Sequence, residues 1–238
     1  ALSAAYRYFP NLSVDLIYGI PGQSDASWEA GIHRVLELGV PHVSAYALTV
    51  EPRTALQNFI DKGKAKAPEE EQARRQFYRL VDKMAAAGYD HYEISNFGKP
   101  GWYSRNNSAY WQGKSYLGIG PGAHSFDGQK RGWNVRSNPK YVKSLEADTL
   151  PLEWEDLTPR DQFNEYLMTR LRTQWGADLT HIRQHFGTTY ADYLEEQVLP
   201  HIESRLLYWD GDRLLATREG KYLADGLAAD LFLVNLTD

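Results

Sequence analysis

Residues 14–23 read Val14-Asp15-Leu16-Ile17-Tyr18-Gly19-Ile20-Pro21-Gly22-Gln23, an apolar, strand-like run that carries one acid and enters a glycine-proline turn. Burying a carboxylate in such a run is costly unless the acid has a role at the end of the strand, which is where α/β folds bind their ligands. Asp15 is therefore the first candidate for a functional residue. An acid that caps a turn or pairs with a basic residue would leave the same pattern, and the strand alone does not separate these interpretations.

The residues after this turn alternate between helix and strand patterns. Ser24 or Asp25 can cap a helix, a strand follows at 43–48, and a helix that starts at 69–71 leads to a third strand at 91–95. Such alternation predicts parallel strands joined by crossover helices. A closed barrel of this kind needs about eight strands. The sequence therefore predicts an α/β fold with a partial (β/α) barrel, and we expect the chain to be a fragment of a longer protein.

The pattern changes near residue 158. Helical segments are followed by two short strands, 207–209 and 213–216, and by a last helix, which together predict a winged-helix-like domain. We expect one domain over 1–145 and this helical domain over 146–238. Residues 158–238 hold 8 Lys and Arg against 13 Asp and Glu, which accounts for the whole net charge of −5. This acidity argues against nucleic acid as a partner, because binding phosphates needs a basic surface.

Composition sets further limits on the class of protein. With 238 residues, of which 42% are hydrophobic, the chain can bury a full core. It contains no cysteine, so neither a disulfide nor a thiolate metal site can form within it. No apolar stretch approaches the roughly 20 residues that span a bilayer, and no signal-peptide pattern is present. We expect a cytoplasmic protein without a transmembrane segment.

Glycine and aromatic residues dominate 97–138, and the run 116–125 places glycines at 118, 120 and 122 before His124. Such glycines let a ligand approach the backbone closely. The run lacks the Lys-Ser/Thr ending of a phosphate loop, so phosphate binding is disfavoured. His181 and His185 have metal-chelating spacing, but no third ligand is near, and a solvated helix face is the better interpretation. The sequence predicts no metal site.

Five segments carry a family signature: 15–23, 43–52, 89–97, 104–111 and 116–125. Together they resemble the radical S-adenosylmethionine family of oxygen-independent coproporphyrinogen III oxidases, and within it the HemW-like branch of heme chaperones. The resemblance implies a partial barrel of the radical S-adenosylmethionine type followed by the family's helical terminal domain. It also implies S-adenosylmethionine and a [4Fe-4S] cluster in the full-length protein, with heme as a further ligand. The family's Cys-x3-Cys-x2-Cys cluster loop is absent from these residues.

The resemblance assigns roles to individual positions. It implies cofactor contacts by Asp15, Thr49 and His124, and porphyrin or heme contacts by Glu93, Asn107, Tyr110, Trp111 and His124. A carboxylate such as Asp15 can accept hydrogen bonds from ribose hydroxyls or pair with an ammonium group. Glu93 could orient a substrate. A buried structural acid paired with Arg105 would give the same sequence pattern.

One position departs from the branch pattern. Where the branch reads His-Asn-x-x-Tyr-Trp, this chain has Asn106 in place of the histidine. An asparagine offers no imidazole to iron, so if that histidine is an axial ligand in the branch, this protein would need His124, Tyr110, another residue or a weaker mode of binding.

Three functions stay open at this point. The first is a heme chaperone that passes heme to an apoprotein. The second is a coproporphyrinogen III oxidase, in which a radical from S-adenosylmethionine starts the decarboxylation of propionates to vinyl groups. The third is a protein-interaction module without chemistry. Whether the chain acts as an enzyme is left undecided by the residues, and the fragment alone is expected to be inactive.

Overall fold

The computed structural model describes residues 2–234 and divides after Ser104 into two compact units. The two domains expected from the sequence, 1–145 and 146–238, stay a prediction, since a division into compact units does not test them. Within the described residues, no helix is both long and apolar enough to cross a membrane.

The first unit is a four-stranded open sheet flanked by helices. The strand order is β1-β2-β4-β3, in which β1 and β2 are parallel and the other pairs are antiparallel. Its elements are α1 (Leu2–Tyr8), β1 (Ser13–Tyr18), α2 (Asp25–Glu37), β2 (His42–Ala47), α3 (Ala55–Asp61), α4 (Glu70–Ala86), β3 (Asp90–Glu93) and β4 (Asn96–Gly98).

The predicted alternation of strands and helices is confirmed for β1, α2, β2, α4 and β3. The sequence missed β4, a three-residue strand that turns back after β3 and lies between β3 and β2. Only the first strand pair is therefore directly parallel. A strand of three residues is too short to show the period of two on which strand prediction depends. The segment between β2 and α4 also contains the short helix α3.

The predicted apolar stripes of α2 and α4 form the core of this unit. Both helices bury one face, with Trp28 and Ile32 from α2 and Phe77 and Leu80 from α4. Ser24 caps α2 by accepting a hydrogen bond from the Ser27 amide, as the sequence predicted. This packing leaves the opposite face of the sheet for polar residues.

The second unit joins a small antiparallel sheet to a helical domain. The sheets have the orders β5-β6-β7 and β8-β10-β9. Its elements are α5 (Arg105–Trp111), β5 (His124–Phe126), β6 (Lys130–Asn134), α6 (Asn138–Glu146), β7 (Leu152–Asp156), α7 (Pro159–Leu171), β8 (Ala177–Asp178), α8 (Leu179–His185), α9 (Thr188–Gln197), α10 (Leu199–Glu203), β9 (Leu207–Asp210), β10 (Arg213–Ala216), α11 (Arg218–Tyr222) and α12 (Ala224–Asp230).

The apolar core of the second unit lies entirely in its helical part. Phe163, Leu167 and Leu194 are fully buried there, around the predicted hairpin of β9 and β10. By contrast, no apolar side chain between residues 98 and 156 is buried, although this stretch is described throughout. The β5-β6-β7 sheet and its loops are therefore held by hydrogen bonds and aromatic contacts, which makes local opening easier than in the helical part.

Candidate functional site

A row of polar side chains crosses the sheet of the first unit. Register places Asp15 opposite Ser44, Ser44 opposite Asn96, and Asn96 opposite Glu93. The Ser44 hydroxyl donates to Asn96 Oδ1 at 3.0 Å, and Asn96 Nδ2 donates to Glu93 Oε2 at 2.5 Å. The Ser95 amide also donates to Glu93 Oε2, at 3.0 Å. Side-chain hydrogen bonds thereby link β2, β4 and β3, and Asp15 continues the row on β1 by register.

The two acids of this row are in opposite situations. Glu93 is 1% exposed and its carboxylate is bound within its own hairpin. Asp15 is exposed to solvent at the other end of the row. A buried, satisfied carboxylate stabilises the fold, whereas an exposed carboxylate on a sheet face can accept hydrogen bonds from a ligand. Of the two predicted acids, only Asp15 is accessible to a cofactor in this unit.

A second polar chain runs beside this row and involves His42, to which the sequence assigned no role. Ser13 Oγ lies 2.7 Å from His42 Nδ1, and His42 Nε2 lies 2.7 Å from the Tyr92 hydroxyl. The Tyr92 oxygen accepts a bond from the Ser104 amide at 3.3 Å. A neutral imidazole offers one donor and one acceptor, which matches two hydroxyl partners. Burial lowers the pKa of His42, and the negative charge of Asp15 partly opposes that shift.

The lowered pKa of His42 predicts a loss of stability in mild acid. Because the unfolded chain binds a proton near pH 6.5 and the folded imidazole only at lower pH, the free energy of unfolding should fall as pH drops below about 6.5. Urea unfolding at pH 7.5 and pH 5.5 tests this. Since burial also lowers the pKa of His181 in the second unit, the informative quantity is the difference from His42→Gln. We expect this variant to be less stable at pH 7.5 and to lose less stability on acidification. An equal loss in both proteins would contradict the prediction.

The loop that follows β1 is fixed by two glutamines from α4. The Gly19 amide donates to Gln76 Oε1 at 2.7 Å. Gln72 Nε2 donates to the carbonyls of Ile20 and Gln23 at 2.9 and 3.0 Å. Both glutamines are buried, so the loop at the end of β1 is held in one conformation. Thr49, the other predicted contact in this unit, is exposed just after β2.

The glycine-rich loop in the second unit is built around its own backbone. The Gly118 amide donates to Ser125 Oγ at 2.9 Å, and the Gly120 amide donates to the Tyr141 hydroxyl at 3.2 Å. Asn134 Nδ2 donates to the carbonyls of both glycines at 3.2 and 2.9 Å. These amides are therefore occupied by protein groups, which agrees with the expectation that the loop does not cradle a phosphate.

The loop leads into an aromatic face on the β5-β6-β7 sheet, consisting of Tyr110, Tyr116, Phe126, His124 and Trp133. The ring centroids are 5.4 Å apart for Tyr110 and Tyr116, 6.0 Å for Tyr116 and Phe126, and 6.4 Å for His124 and Trp133. His124 and Phe126 share one side of β5 because side chains alternate along a strand. Both His124 and Tyr110 are exposed. The aromatic face therefore presents an imidazole and a phenol, two known iron ligands, beside apolar rings.

The other predicted residues of the Asn-Asn-x-x-Tyr-Trp segment are less accessible. The Arg172 guanidinium lies 4.9 Å from the Trp111 ring centroid and covers that ring. Asn107 is partly buried. His181 and His185, discounted as a metal site, have stacked rings 3.9 Å apart. No group of three or more metal-ligating side chains occurs in the part of the chain that the structure describes.

The predicted residues are divided between the two units. Asp15, Thr49 and Glu93 belong to the first unit, and Asn107, Tyr110, Trp111 and His124 belong to the second. Sequence reasoning missed the polar residues that organise these sets: His42, Ser44, Asn96, Gln76 and Asn134. The one signal available in the sequence was the alternation of polar and apolar residues in His42-Val43-Ser44. This alternation indicates a strand with one polar face, and Ser44 on that face lies opposite Asp15.

Comparison with known proteins gives consistent similarities. The model of the HemN C-terminal domain family matches residues 157–223. The heme chaperone HemW of Mycobacterium tuberculosis is 36% identical over 233 residues, which are 97% of this chain and 57% of that protein. The heme chaperone HemW of Bacillus subtilis is 33% identical over 219 residues, which are 91% of this chain and 58% of that protein. The chain thus spans somewhat more than half the length of these relatives.

A solved structure supports the same fold. The coproporphyrinogen III oxidase HemN of Escherichia coli, a radical S-adenosylmethionine enzyme, superposes with a TM-score of 0.76 at 21% sequence identity. The match covers 96% of this chain and 56% of that one. At this identity the likeness establishes the fold, which is a mixed α/β architecture whose described sheets are open.

Proposed function

Because the chain belongs to the HemW-like branch of the radical S-adenosylmethionine coproporphyrinogen oxidase family, we propose that this protein binds heme and delivers it to a recipient apoprotein. The observation that carries the proposal is the aromatic face, where an exposed imidazole stands beside aromatic rings. Heme binding needs an axial ligand and apolar contacts to the macrocycle, and His124 with Trp133 offers both. The recipient protein and a cytoplasmic location remain predictions.

His124 replaces the histidine that the branch pattern would place at Asn106. Tyr110, half exposed and in ring contact with Tyr116, supplies a phenol as a second ligand candidate. Trp111 contributes packing, since Arg172 covers its ring. Asn107, partly buried in the same helix, is the further porphyrin contact that the resemblance implies.

Asp15 and Thr49 fit a contact with S-adenosylmethionine. In this proposal the exposed Asp15 carboxylate accepts hydrogen bonds from ribose hydroxyls or pairs with the cofactor's ammonium group, and Thr49 lies at the end of the neighbouring strand. The residues present do not fit the iron-sulfur cluster, because a chain without cysteine supplies no thiolate. No reaction step is therefore assigned to this chain. The oxidase alternative is supported by the likeness in fold to HemN and by the match of residues 157–223 to the HemN C-terminal domain family.

Titration with ferric heme tests the proposed function. We expect wild-type protein to shift the Soret band, His124→Ala to weaken binding at least tenfold, and Tyr110→Phe to weaken it less, because a phenol is here the secondary ligand. His33→Ala is the matched control, since His33 is also exposed but belongs to the first unit and has no aromatic neighbour among the described ring contacts. Equal affinities in His124→Ala and wild type would refute His124 as the ligand, and no Soret shift in wild type would refute heme binding.

A further inference from the structure

A groove outside the aromatic face carries charges that the proposed function does not use. It has a volume of about 520 Å³ and lies between α6 and the beginning of β7. Val135, Leu150 and Leu152 contribute apolar surface, and Lys140 and Lys143 line it from α6. The volume falls within the range of about 300–1,000 Å³ that is typical of small-molecule sites.

The two lysines form a cationic edge of the groove. They are three positions apart on one helix, so their side chains lie on the same side of it. Within residues 2–234, neither lysine forms an ion pair. By contrast, Lys130 on β6 pairs with Asp156 on β7 at 2.9 Å. Glu153 also lines the groove, from β7. An anionic ligand would therefore place its charges toward α6 and its apolar part toward Leu150.

The exposure of Leu150 also favours a ligand with an apolar part. Its side chain is 66% exposed although it lines a concave surface. Apolar surface in a groove with two adjacent cations complements a flat apolar molecule that carries two carboxylates. A porphyrin has this composition, since an apolar macrocycle bears two neighbouring propionates. A peptide is a poorer match, because α6 has nine residues and is only about 13 Å long.

We propose that this groove binds a tetrapyrrole through its two propionates, with Lys140 and Lys143 as the carboxylate partners and Leu150 against the macrocycle. The charge pattern specifies an apolar dicarboxylate, and the choice of a tetrapyrrole rests on the proposed function. The contact needs no iron ligand, so the groove accepts a porphyrin whether or not it holds a metal. It is a second contact surface that shares no lining residue with the aromatic face, although its Glu153 is the register partner of Trp133.

Titration of the full chain with iron-free protoporphyrin IX, followed by porphyrin fluorescence, tests the proposal. We expect Lys140→Glu/Lys143→Glu to weaken binding at least tenfold, and Lys140→Arg/Lys143→Arg to retain it. The matched control Lys62→Glu/Lys64→Glu makes the same charge change at exposed lysines of the first unit and should stay within twofold of wild type. The dimethyl ester of the porphyrin, which lacks both charges, should bind weakly and equally to all four proteins. Leu150→Ser should weaken the binding of acid and ester alike.

The outcomes separate this proposal from the proposed function. Wild-type affinity for protoporphyrin in the Lys140→Glu/Lys143→Glu protein would overturn it, as would a dimethyl ester that binds as tightly as the acid. Binding of a glutamate-rich peptide but of no porphyrin would also overturn it and would indicate a protein partner. If ferric heme still gives a Soret shift that depends on His124 in these cases, the proposed function stands. Lysine-dependent porphyrin binding without such a shift would retain the groove and refute His124 as the heme ligand.

Discussion

Glu93→Ala is expected to lower the free energy of unfolding of the first unit by about 3 kcal/mol, because it removes a buried carboxylate that accepts two hydrogen bonds. The Ser95 amide and Asn96 Nδ2 would both lose their acceptor at a position that is 1% exposed. A hydrogen bond to a charged group contributes about 1.5–3 kcal/mol, and a buried donor without a partner costs about 1–3 kcal/mol. Urea unfolding measures the loss.

Asp15→Asn is the matched variant at the other end of the same polar row. Asp15 is exposed, so we expect the stability to change by less than about 0.5 kcal/mol, as for most surface substitutions. Glu93→Gln should fall between the two, because its amide oxygen can accept both bonds that end on Oε2 but lacks the charge that strengthens them. If Glu93→Ala had the free energy of unfolding of the wild type, the carboxylate would not stabilise the sheet, and a role in ligand binding would be favoured.

This contrast bears on function as well as on stability. If Asp15 alone contacts the cofactor, S-adenosylmethionine binding should respond to Asp15→Asn while the fold stays intact. A change at Glu93 would act through the arrangement of β3 and β4, and any loss of binding would accompany a loss of stability. The sequence could not distinguish the two acids, since both occur next to apolar strand residues.

The elements that the sequence predicted well have long patterns. The helices α2 and α4 show apolar residues at helical spacing over 13 and 17 residues, and the hairpin of β9 and β10 surrounds an Asp-Gly-Asp turn. Such signals are local, and the structure confirms them. Short elements such as β4 and α3 escaped because three to seven residues hold too few periods to be recognised.

The polar network of the site could not be predicted for a different reason. The contact between His42 and Tyr92 joins residues 50 positions apart, and the contact between Ser44 and Asn96 joins residues 52 apart. The contact of Ser44 with Asn96 depends on the register of β2 with β4, and that of His42 with Tyr92 depends also on the register of β4 with β3. A shift by one residue would turn these side chains to the other face. A single sequence contains no information on that register when the partner strand itself is not recognised.

Gly118→Ala is expected to open the loop before β5, with a local effect of about 3 kcal/mol. A Cβ atom at Gly118 would lie 2.2 Å from the carbonyl oxygen of His124, a backbone atom that cannot move aside without displacing β5. Inserting a methyl group into a packed site typically costs about 1–3 kcal/mol, and here the obstacle is rigid backbone. The substitution therefore separates residues 116–118 from the residue proposed to bind heme.

The effect should stay local because residues 98–156 bury no apolar side chain, whereas the helical part keeps its own core. Hydrogen exchange is the suitable measurement, since the Tyr116 and Phe126 amides donate to each other's carbonyls at 2.8 and 2.9 Å. About 3 kcal/mol corresponds to a loss of roughly a hundredfold in the protection of these amides. Amides in α7 should keep their protection.

Gly226→Ala provides the control in the same unit. Nothing lies within 4 Å of a Cβ at Gly226, which is in the helix α12, so alanine should stabilise that helix by up to about 1 kcal/mol. The Gly118 variant should also bind ferric heme at least tenfold more weakly, because His124 moves with β5. Weak heme binding with full protection at Tyr116 and Phe126 would show that Gly118 meets the ligand directly. Full heme binding with lost amide protection would show that His124 binds heme without support from the loop. Loss of both heme binding and amide protection would support a loop that positions His124.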